Sequence, residues 1–272
     1  MQRDCFGEIM EFEMKKKFGQ NFLRDKNLLA AIVCDAGITK DDTVIEIGPG
    51  AGALTAALCQ KAKRVICFEI DKELESVLAE NLKDYDNVQV IFKDVMKVDM
   101  SEIEALAGEQ FKLVANLPYY ITTPIIFKFL EESDKIKTLA IMVQKEVAQK
   151  IVATPKDEGY GVLSVMTNFY ANTKICRIVG RKMFFPAPKV DSAIVRLDIK
   201  QNEHSKEFAA KFKQIVFASF SMRRKTLLNN LSTSLHIPKE EVTQKLLSLG
   251  INPSARAETL DVEDFVRLVD AF

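Results

Sequence analysis

The segment Asn116-Leu117-Pro118-Tyr119 has the residue types needed to hold a nucleobase. Its amide side chain offers a hydrogen-bond acceptor and a donor group, its proline fixes the backbone, and its tyrosine ring can stack on a base. The strand-like run Phe111 to Ala115 precedes it, and the helix-like run Thr122 to Leu130 follows. Because open α/β sheets bind ligands where strands end, we predict that these residues grip the exocyclic amine of an extruded base. The alternative is an ordinary turn with a buried tyrosine.

Three further strand candidates end in residues suited to a nucleoside ligand. Val44 to Ile47 runs into the turn Gly48-Pro49-Gly50-Ala51-Gly52, where glycines let a ligand approach the backbone closely. Glu69 lies near the end of the second candidate, Val65 to Ile70, where a carboxylate accepts hydrogen bonds from ribose hydroxyls. Asp94 follows the third, Val88 to Phe92, and can accept a bond from an adenine amine. Three successive strand ends of this kind predict a nucleoside site.

Seven segments of the chain resemble the S-adenosylmethionine-dependent RNA adenine N6-dimethyltransferases, in particular the small-subunit ribosomal RNA adenine dimethyltransferase family. The resemblance extends from Lys17 to the C-terminus. Two departures are visible: Tyr120 stands where relatives often carry Asn, and Ser221-Met222 stands where relatives more often show Gln. The segments are FGQNFL from Phe18, EIGPGAGALT from Glu46, FEID from Phe68, KDV from Lys93, NLPY from Asn116, FFPAPKVDS from Phe184 and RRKTL from Arg223.

The resemblance implies a role for each matching residue. Residues of the catalytic pocket would be Asn116, Leu117, Pro118, Tyr119 and Phe184, the last closing the second face of the base. Those that bind S-adenosylmethionine would be Gln20, Asn21, Leu23, Gly48, Gly50, Glu69, Ile70, Asp94, Val95 and Asn116. Arg223, Arg224 and Lys225 would bind RNA. The implied substrate is a pair of adjacent adenosines in a hairpin near the 3′ end of small-subunit rRNA, within an immature small ribosomal subunit.

Composition limits the kinds of site that the chain can build. Its 272 residues are 47% hydrophobic and 28% charged, which permits a full core. Five scattered cysteines without a C-x-x-C pair, and only two histidines, predict neither a metal site nor a Ser-His-Asp triad. The apolar runs are too short to cross a bilayer and no secretory leader is evident, so we expect a cytoplasmic protein with no membrane partner. We also expect a monomer.

The charge pattern is mixed for a nucleic-acid-binding protein. The net charge is zero, whereas RNA-binding proteins usually carry a basic excess. Basic clusters nevertheless occur at Lys15 to Lys17, at Arg181-Lys182 and at Arg223 to Lys225. A basic face on an otherwise neutral chain is sufficient to contact phosphates.

Alternating strand and helix patterns from Thr43 to about Ile151 predict an α/β fold with a doubly wound parallel sheet. Two further strands are expected at Thr167 to Val179 and at Ser192 to Ile199. The resemblance implies a Rossmann-like sheet of seven strands. We expect an N-terminal tail at residues 1–16, a methyltransferase domain at 17–200, and a small all-helical domain at 201–272, where apolar residues recur at helical spacing.

Three other functions are compatible with parts of the sequence. A large-subunit rRNA adenine methyltransferase of the macrolide-resistance type would share the chemistry and change the target. A non-catalytic ribosome-assembly factor would share the fold alone, although intact Asn116, Glu69 and Asp94 favour catalysis. A nicotinamide-dependent dehydrogenase is disfavoured because the glycine-rich turn lacks the dinucleotide spacing.

Overall fold

A computed structural model describes residues 22–23, 25–201 and 204–272. Two compact units are present among them: the residues up to Lys145 together with Ile175–Arg196, and Glu146–Lys174 together with Leu197–Phe272. The domain boundaries expected at residues 16 and 200 stay predictions. No helix in the described ranges is long and apolar enough to cross a membrane.

A seven-stranded sheet organises the α/β part of the chain, in the order β4-β3-β2-β5-β6-β9-β7. Strands β2 to β6 pair in parallel along this order. The chain moves outward from β2 through β3 to β4, then returns to place β5 on the other side of β2. The reversal of strand order between β2 and β5 is the point at which such sheets bind ligands. The strands are β2 (Thr43–Ile47), β3 (Arg64–Glu69), β4 (Val88–Phe92), β5 (Phe111–Asn116), β6 (Ile136–Gln144), β7 (Ala171–Val179) and β9 (Ser192–Ile199).

Burial explains why the central strands are almost wholly apolar. Every residue of β2 is buried, because the strand has neighbours on both sides and helices over the sheet. Helix α1 begins after Asp25, whose carboxylate accepts hydrogen bonds from the amides of Asn27 and Leu28 at 2.8 and 3.0 Å. Helix α5 places Phe129 edge-on to Phe111 of β5, with ring centroids 6.2 Å apart. The helices are α1 (Lys26–Asp35), α2 (Ala53–Cys59), α3 (Glu75–Leu82), α4 (Met100–Ala107) and α5 (Thr122–Glu132).

Two short strands, β1 (Phe22–Leu23) and β8 (Phe184–Phe185), form a separate antiparallel pair in which Leu23 is opposite Phe184. The expected strand Thr167 to Val179 was wrong at its start. Residues up to Tyr170 belong to helix α7 (Val162–Tyr170), and the strand begins at Ala171. Helix α7 and strand β7 follow each other with no intervening loop, so the sequence pattern alone did not separate the two elements.

The second unit contains α6 (Lys145–Val152) from Glu146 onward, helix α7 and four C-terminal helices. Ser205 caps α8 by accepting a hydrogen bond from the Phe208 amide at 3.2 Å. Asp261 and Asp264 form a reciprocal capping box at the start of α11. The apolar faces of these helices meet around Phe212 and Phe265, both fully buried. The C-terminal helices are α8 (Lys206–Ser219), α9 (Leu227–Leu235), α10 (Lys239–Ser248) and α11 (Val262–Ala271).

Candidate active site at the carboxyl ends of the sheet

The register of the parallel strands brings four predicted site segments to one edge of the sheet. Ile47 of β2 is opposite both Phe68 of β3 and Ala115 of β5, and Glu69 is opposite Phe92 of β4. The residue after each of these positions therefore lies at the same carboxyl edge. Gly48, Glu69 and Asn116 are immediate neighbours in this series, and Asp94 follows one strand further out.

The glycine-rich turn after β2 has a backbone that favours glycine. Gly48 and Gly50 have φ values of +69° and +58°, in the left-handed region where a Cβ atom is strained. A Cβ atom built on Gly48 would meet nothing within 4 Å, so its immediate surroundings are open to a ligand. Asn81 of α3 holds the turn by donating from Nδ2 to the Ala51 carbonyl at 2.8 Å. The sequence analysis had assigned no role to Asn81.

Glu69 is 1% exposed at the end of β3 and receives three backbone hydrogen bonds. Its Oε1 accepts from the amides of Ile70 and Asp71 at 2.9 and 3.0 Å, and its Oε2 accepts from the Gly50 amide at 3.1 Å. Burial raises the pKa of this carboxyl, and the three amides oppose the shift. A carboxylate has about four acceptor positions, so one remains on Oε2 for a ligand hydroxyl.

The neighbouring strands β4 and β3 are followed by a carboxylate, Asp94, and by an exposed apolar side chain, Ile70. Asp94 Oδ1 accepts from the Met96 amide at 3.0 Å, which caps the short turn Val95–Lys97. Its Oδ2 lies 3.9 Å from Lys97 Nζ. Ile70 is 52% exposed, unusual for an isoleucine beside a buried strand, and can pack against an adenine ring. Val95, by contrast, is buried.

The Asn-Leu-Pro-Tyr segment forms the junction between β5 and α5. Asn116 is the last residue of β5, opposite Met142 of β6. The Leu117 side chain is 2% exposed, which anchors the backbone that follows Asn116. Pro118 begins a short 3₁₀ turn, closed by a hydrogen bond from the Ile121 amide to the Pro118 carbonyl at 3.1 Å.

Tyr119 is half-buried, and its hydroxyl lies 2.9 Å from the Oγ atom of Ser192. Ser192 is the fully buried first residue of β9, so the ring is held at its outer end by a different strand from the one that precedes it. Ser192 belongs to the FFPAPKVDS segment, yet the sequence alone provided no partner for it. Tyr120, the residue that departs from the family pattern, is 68% exposed.

Phe184 and Leu23 are buried together. Both are 5% exposed and belong to the core cluster that includes Leu28 and Leu29 of α1, whereas neighbouring Phe185 is 40% exposed. The predicted stacking of Phe184 on a base, and the predicted lid role of Leu23, stay predictions. Gln20, Asn21, the basic run Lys15 to Lys17 and the 1–16 tail lie outside the described residues.

Glu46 is a buried acid that the sequence analysis did not single out. It is 1% exposed within β2, and the thiol of its strand neighbour Cys67 donates to its Oε2 at 3.5 Å. Burial raises the pKa of Glu46 to about 7, and the charge of Glu69 contributes to the increase. An apolar-alternating strand does not reveal that its one acid faces the core rather than solvent.

The predicted RNA-binding residues Arg223, Arg224 and Lys225 lie in the second unit, in the loop between α8 and α9, and all three are exposed. Among the described residues, no group of three or more His, Cys, Asp or Glu side chains could hold a metal ion.

Comparison with known proteins places the chain in a family. The family model described as "Ribosomal RNA adenine dimethylase" matches residues 11–272. The chain belongs to the ribosomal RNA adenine dimethylase family. The predicted resemblance is thereby confirmed, as is the α/β fold with its seven-stranded sheet and helical C-terminal part.

Named relatives are similar to this chain over nearly their whole length. The protein named ribosomal RNA small subunit methyltransferase A from Clostridium botulinum (strain Langeland) is 47% identical over 261 residues, which are 96% of this chain and 94% of that protein. The protein of the same name from Geobacillus thermodenitrificans is 45% identical over 270 residues, covering 96% and 91% of the two chains.

Two solved structures share the fold over most of the chain. A dimethyladenosine transferase from Plasmodium falciparum superposes with a TM-score of 0.76 at 29% identity, covering 91% of this chain and 95% of that one. The 23S rRNA methyltransferase ErmE superposes with a TM-score of 0.71 at 30% identity, covering 92% and 99%. The sequence identity is thus markedly higher to the two relatives named for the small subunit, at 47% and 45%, than to the 23S rRNA methyltransferase, at 30%.

Proposed function

We propose that the protein transfers methyl groups from S-adenosylmethionine to N6 of adenosine in small-subunit ribosomal RNA, forming N6,N6-dimethyladenosine. The observation that carries the proposal is the register of β2 and β5. It sets the glycine-rich turn and Asn116 at the same edge of the sheet, on the two strands between which the strand order reverses. A donor site and an acceptor site then adjoin.

The residues after β2, β3 and β4 fit the methyl donor. The open space at Gly48 accommodates close approach of its methionine portion. The remaining acceptor position of Glu69 suits a ribose hydroxyl. Ile70 offers an apolar surface to the adenine ring, and Asp94 offers a carboxylate oxygen to the adenine amine. S-adenosylmethionine supplies the methyl group as an electrophilic carbon on a sulfonium, so the reaction needs neither a metal nor a covalent nucleophile.

On the acceptor side, the chain must overcome the weak nucleophilicity of adenine N6, whose lone pair is delocalised into the ring. Hydrogen bonds from the amine to Asn116 Oδ1 and to the Leu117 carbonyl favour a tetrahedral nitrogen. They also stabilise the positive charge that develops as the N–C bond forms and the S–C bond breaks. A neutral amide is adequate because the proton leaves N6 only after the methyl group has arrived.

The base is held between rings in this proposal. Tyr119 stacks on one face, and its bond to Ser192 keeps the ring in place. Phe184 closes the other face, which requires the ring to move out of the core position beside Leu23. Each stacked ring contributes about 1–3 kcal/mol to base binding.

The finer description of the substrate also belongs to the proposal. We infer that the target is two adjacent adenosines in the 3′-terminal hairpin of small-subunit rRNA, presented by an immature subunit. The protein acts as a cytoplasmic monomer that recognises the subunit through shape and phosphate contacts, with Arg223, Arg224 and Lys225 on the RNA.

Transfer of tritiated methyl groups to purified ribosomal particles tests the function. Small subunits that lack the modification should accept label at adenosines near the 3′ end, and the label should map to N6,N6-dimethyladenosine. Naked large-subunit RNA should accept none. Labelling confined to large-subunit RNA would favour the macrolide-resistance type, and binding to subunits without any transfer would favour an assembly factor.

A further inference from the structure

Exposed apolar side chains are concentrated beside the proposed acceptor pocket. Among the described residues, ten large apolar side chains are exposed, and four of them belong to two segments of the first unit. One segment is the Asn-Leu-Pro-Tyr turn with the residue that follows it, and the other is the loop from β7 to β9. The four are Tyr120, Met183, Phe185 and Val190, and Tyr120 is the most exposed of all ten, at 68%. Such a concentration marks an interaction surface, whereas scattered single residues do not.

One hydrogen bond joins the two segments. The Tyr119 hydroxyl lies 2.9 Å from the Oγ atom of Ser192, and Tyr120 is the next residue after Tyr119. The loop that leads to Ser192 is closed on itself, because the Arg181 amide donates to Asp191 Oδ1 at 3.0 Å. The exposed side chains of the loop and the ring of Tyr120 therefore adjoin the residue that we propose to stack on the target base.

The backbone at Tyr120 directs its ring away from that of Tyr119. Both residues belong to the 3₁₀ turn Tyr119–Ile121, in which successive side chains project about 120° apart. The hydrogen bond from the Ile121 amide to the Pro118 carbonyl closes this turn. The Tyr120 side chain forms neither a hydrogen bond nor a ring contact within the described part of the chain. Its backbone is thus fixed while its ring is free to contact a ligand.

Cationic side chains accompany the exposed apolar ones. Lys182 and Lys189 of the loop from β7 to β9 are exposed, and no acidic side chain in the described ranges pairs with either. In proteins that bind single strands of nucleic acid, cations contact the phosphates and exposed rings stack on the bases. The combination therefore suits a nucleotide better than an apolar protein segment, which would gain nothing from the two cations.

We propose that Tyr120 stacks on the base next to the adenosine that occupies the acceptor pocket. Extrusion of the target removes a stacking partner from the neighbouring base, and the Tyr120 ring replaces that partner. A purine covers more of the ring than a pyrimidine, so the contact favours a purine at the neighbouring position. The inference rests on the proposed function, whose target is two adjacent adenosines, and it makes Tyr120 a specificity-determining residue.

Equilibrium binding of small subunits, measured without the methyl donor, tests this contact. A synthetic 3′-terminal rRNA segment carries an abasic ribose in place of one adenosine or the other, so that the remaining adenosine is the target and its neighbour has no base. For the wild-type protein, at least one of the two replacements should weaken binding about tenfold, as expected for one lost stack. Tyr120→Ala should weaken binding of unaltered subunits by a similar factor and should bind that abasic particle equally well.

Two control variants separate loss of the ring from other effects. Tyr120→Phe keeps the ring and should discriminate between the particles as the wild-type protein does. Leu247→Ala removes a side chain of similar exposure, 60%, from α10 of the second unit and should also keep the discrimination. Calorimetric binding of S-adenosylmethionine should be unchanged in all three variants, which verifies that each is folded.

Two results would overturn the proposal. The wild-type protein could bind both abasic particles as tightly as unaltered ones. Alternatively, Tyr120→Ala could weaken binding of unaltered and abasic particles by the same factor, which would place the ring against a protein or another rRNA segment of the particle. Methyl transfer to unaltered subunits is assayed separately. Its absence, together with Tyr120-dependent discrimination in binding, would reject the proposed function and keep the stacking contact.

Discussion

At the scale of single residues, Glu46 is a buried acid that lowers the stability of the folded protein, in the strand that leads to the proposed ligand site. Its carboxyl group is enclosed in β2, two residues before Gly48, and its pKa is about 7 against an ordinary 4.5. Between these two values the folded state holds a proton that the unfolded chain has already released. Raising the pH through this range therefore lowers the free energy of unfolding.

Replacing Glu46 by Gln should remove most of this pH dependence. The shift of about 2.5 pKa units corresponds to about 3 kcal/mol for a fully buried group, so the variant should gain up to that amount at pH 8. Urea denaturation at pH 5, 6, 7 and 8 measures the effect. Parallel curves of unfolding free energy against pH for the two proteins would contradict the assignment, while convergence of the curves near pH 5 would support it.

At the scale of elements, the site depends on contacts that join strands far apart in sequence. The Tyr119 hydroxyl reaches Ser192 at the start of β9, so the ring that we propose to stack on the base is positioned by the second-last strand of the sheet order. The Arg181 amide donates to Asp191 Oδ1 at 3.0 Å, which fixes the loop that leads into the same strand. The last residue of the FFPAPKVDS segment, Ser192, therefore stabilises the Asn-Leu-Pro-Tyr turn through its hydrogen bond to Tyr119.

Ser192→Ala should weaken this support without removing the ring. Loss of one hydrogen bond of about 1 kcal/mol should lower the methyl-transfer rate about fivefold, with unchanged affinity for S-adenosylmethionine. Tyr119→Phe should have a similar effect, and the double variant should be no worse than either single one, because both remove the same bond. Additive losses in this cycle, measured by single-turnover transfer, would show that the two side chains act independently.

The elements also explain what could be predicted from the sequence. Strand ends carrying Gly48, Glu69, Asp94 and Asn116 were recognisable because each of these residues lies within two positions of the end of an apolar run. Helix α9 and the start of β7 were not, since α9 is rich in Ser and Asn and β7 follows an apolar helix without a break. Asn81 and Ser192 act through contacts with residues 30 and 73 positions away, which no local pattern reveals.

At the scale of the whole molecule, a neutral chain can serve an anionic substrate because its charges are unevenly distributed. The net charge is zero, yet a cavity in the second unit is lined by four cations and one carboxylate, namely Lys150, Arg223, Lys225, Arg256 and Glu258. The carboxylates Glu69 and Asp94, by contrast, belong to the first unit and face a cationic methyl donor in the proposed function. The total charge of the chain does not record this uneven distribution, which is why overall composition was a poor guide to RNA binding.

The central claim is that Asn116, at the end of β5, activates adenine N6 while the neighbouring strands hold the donor. The most direct measurement compares wild-type protein with Asn116→Ala, using single-turnover methyl transfer to undermethylated small subunits and calorimetric binding of S-adenosylmethionine. We expect transfer to fall at least about a hundredfold, as when a charge-stabilising group is removed from an active site, with donor affinity within a few fold of wild type. Near-normal transfer by this variant would contradict the account.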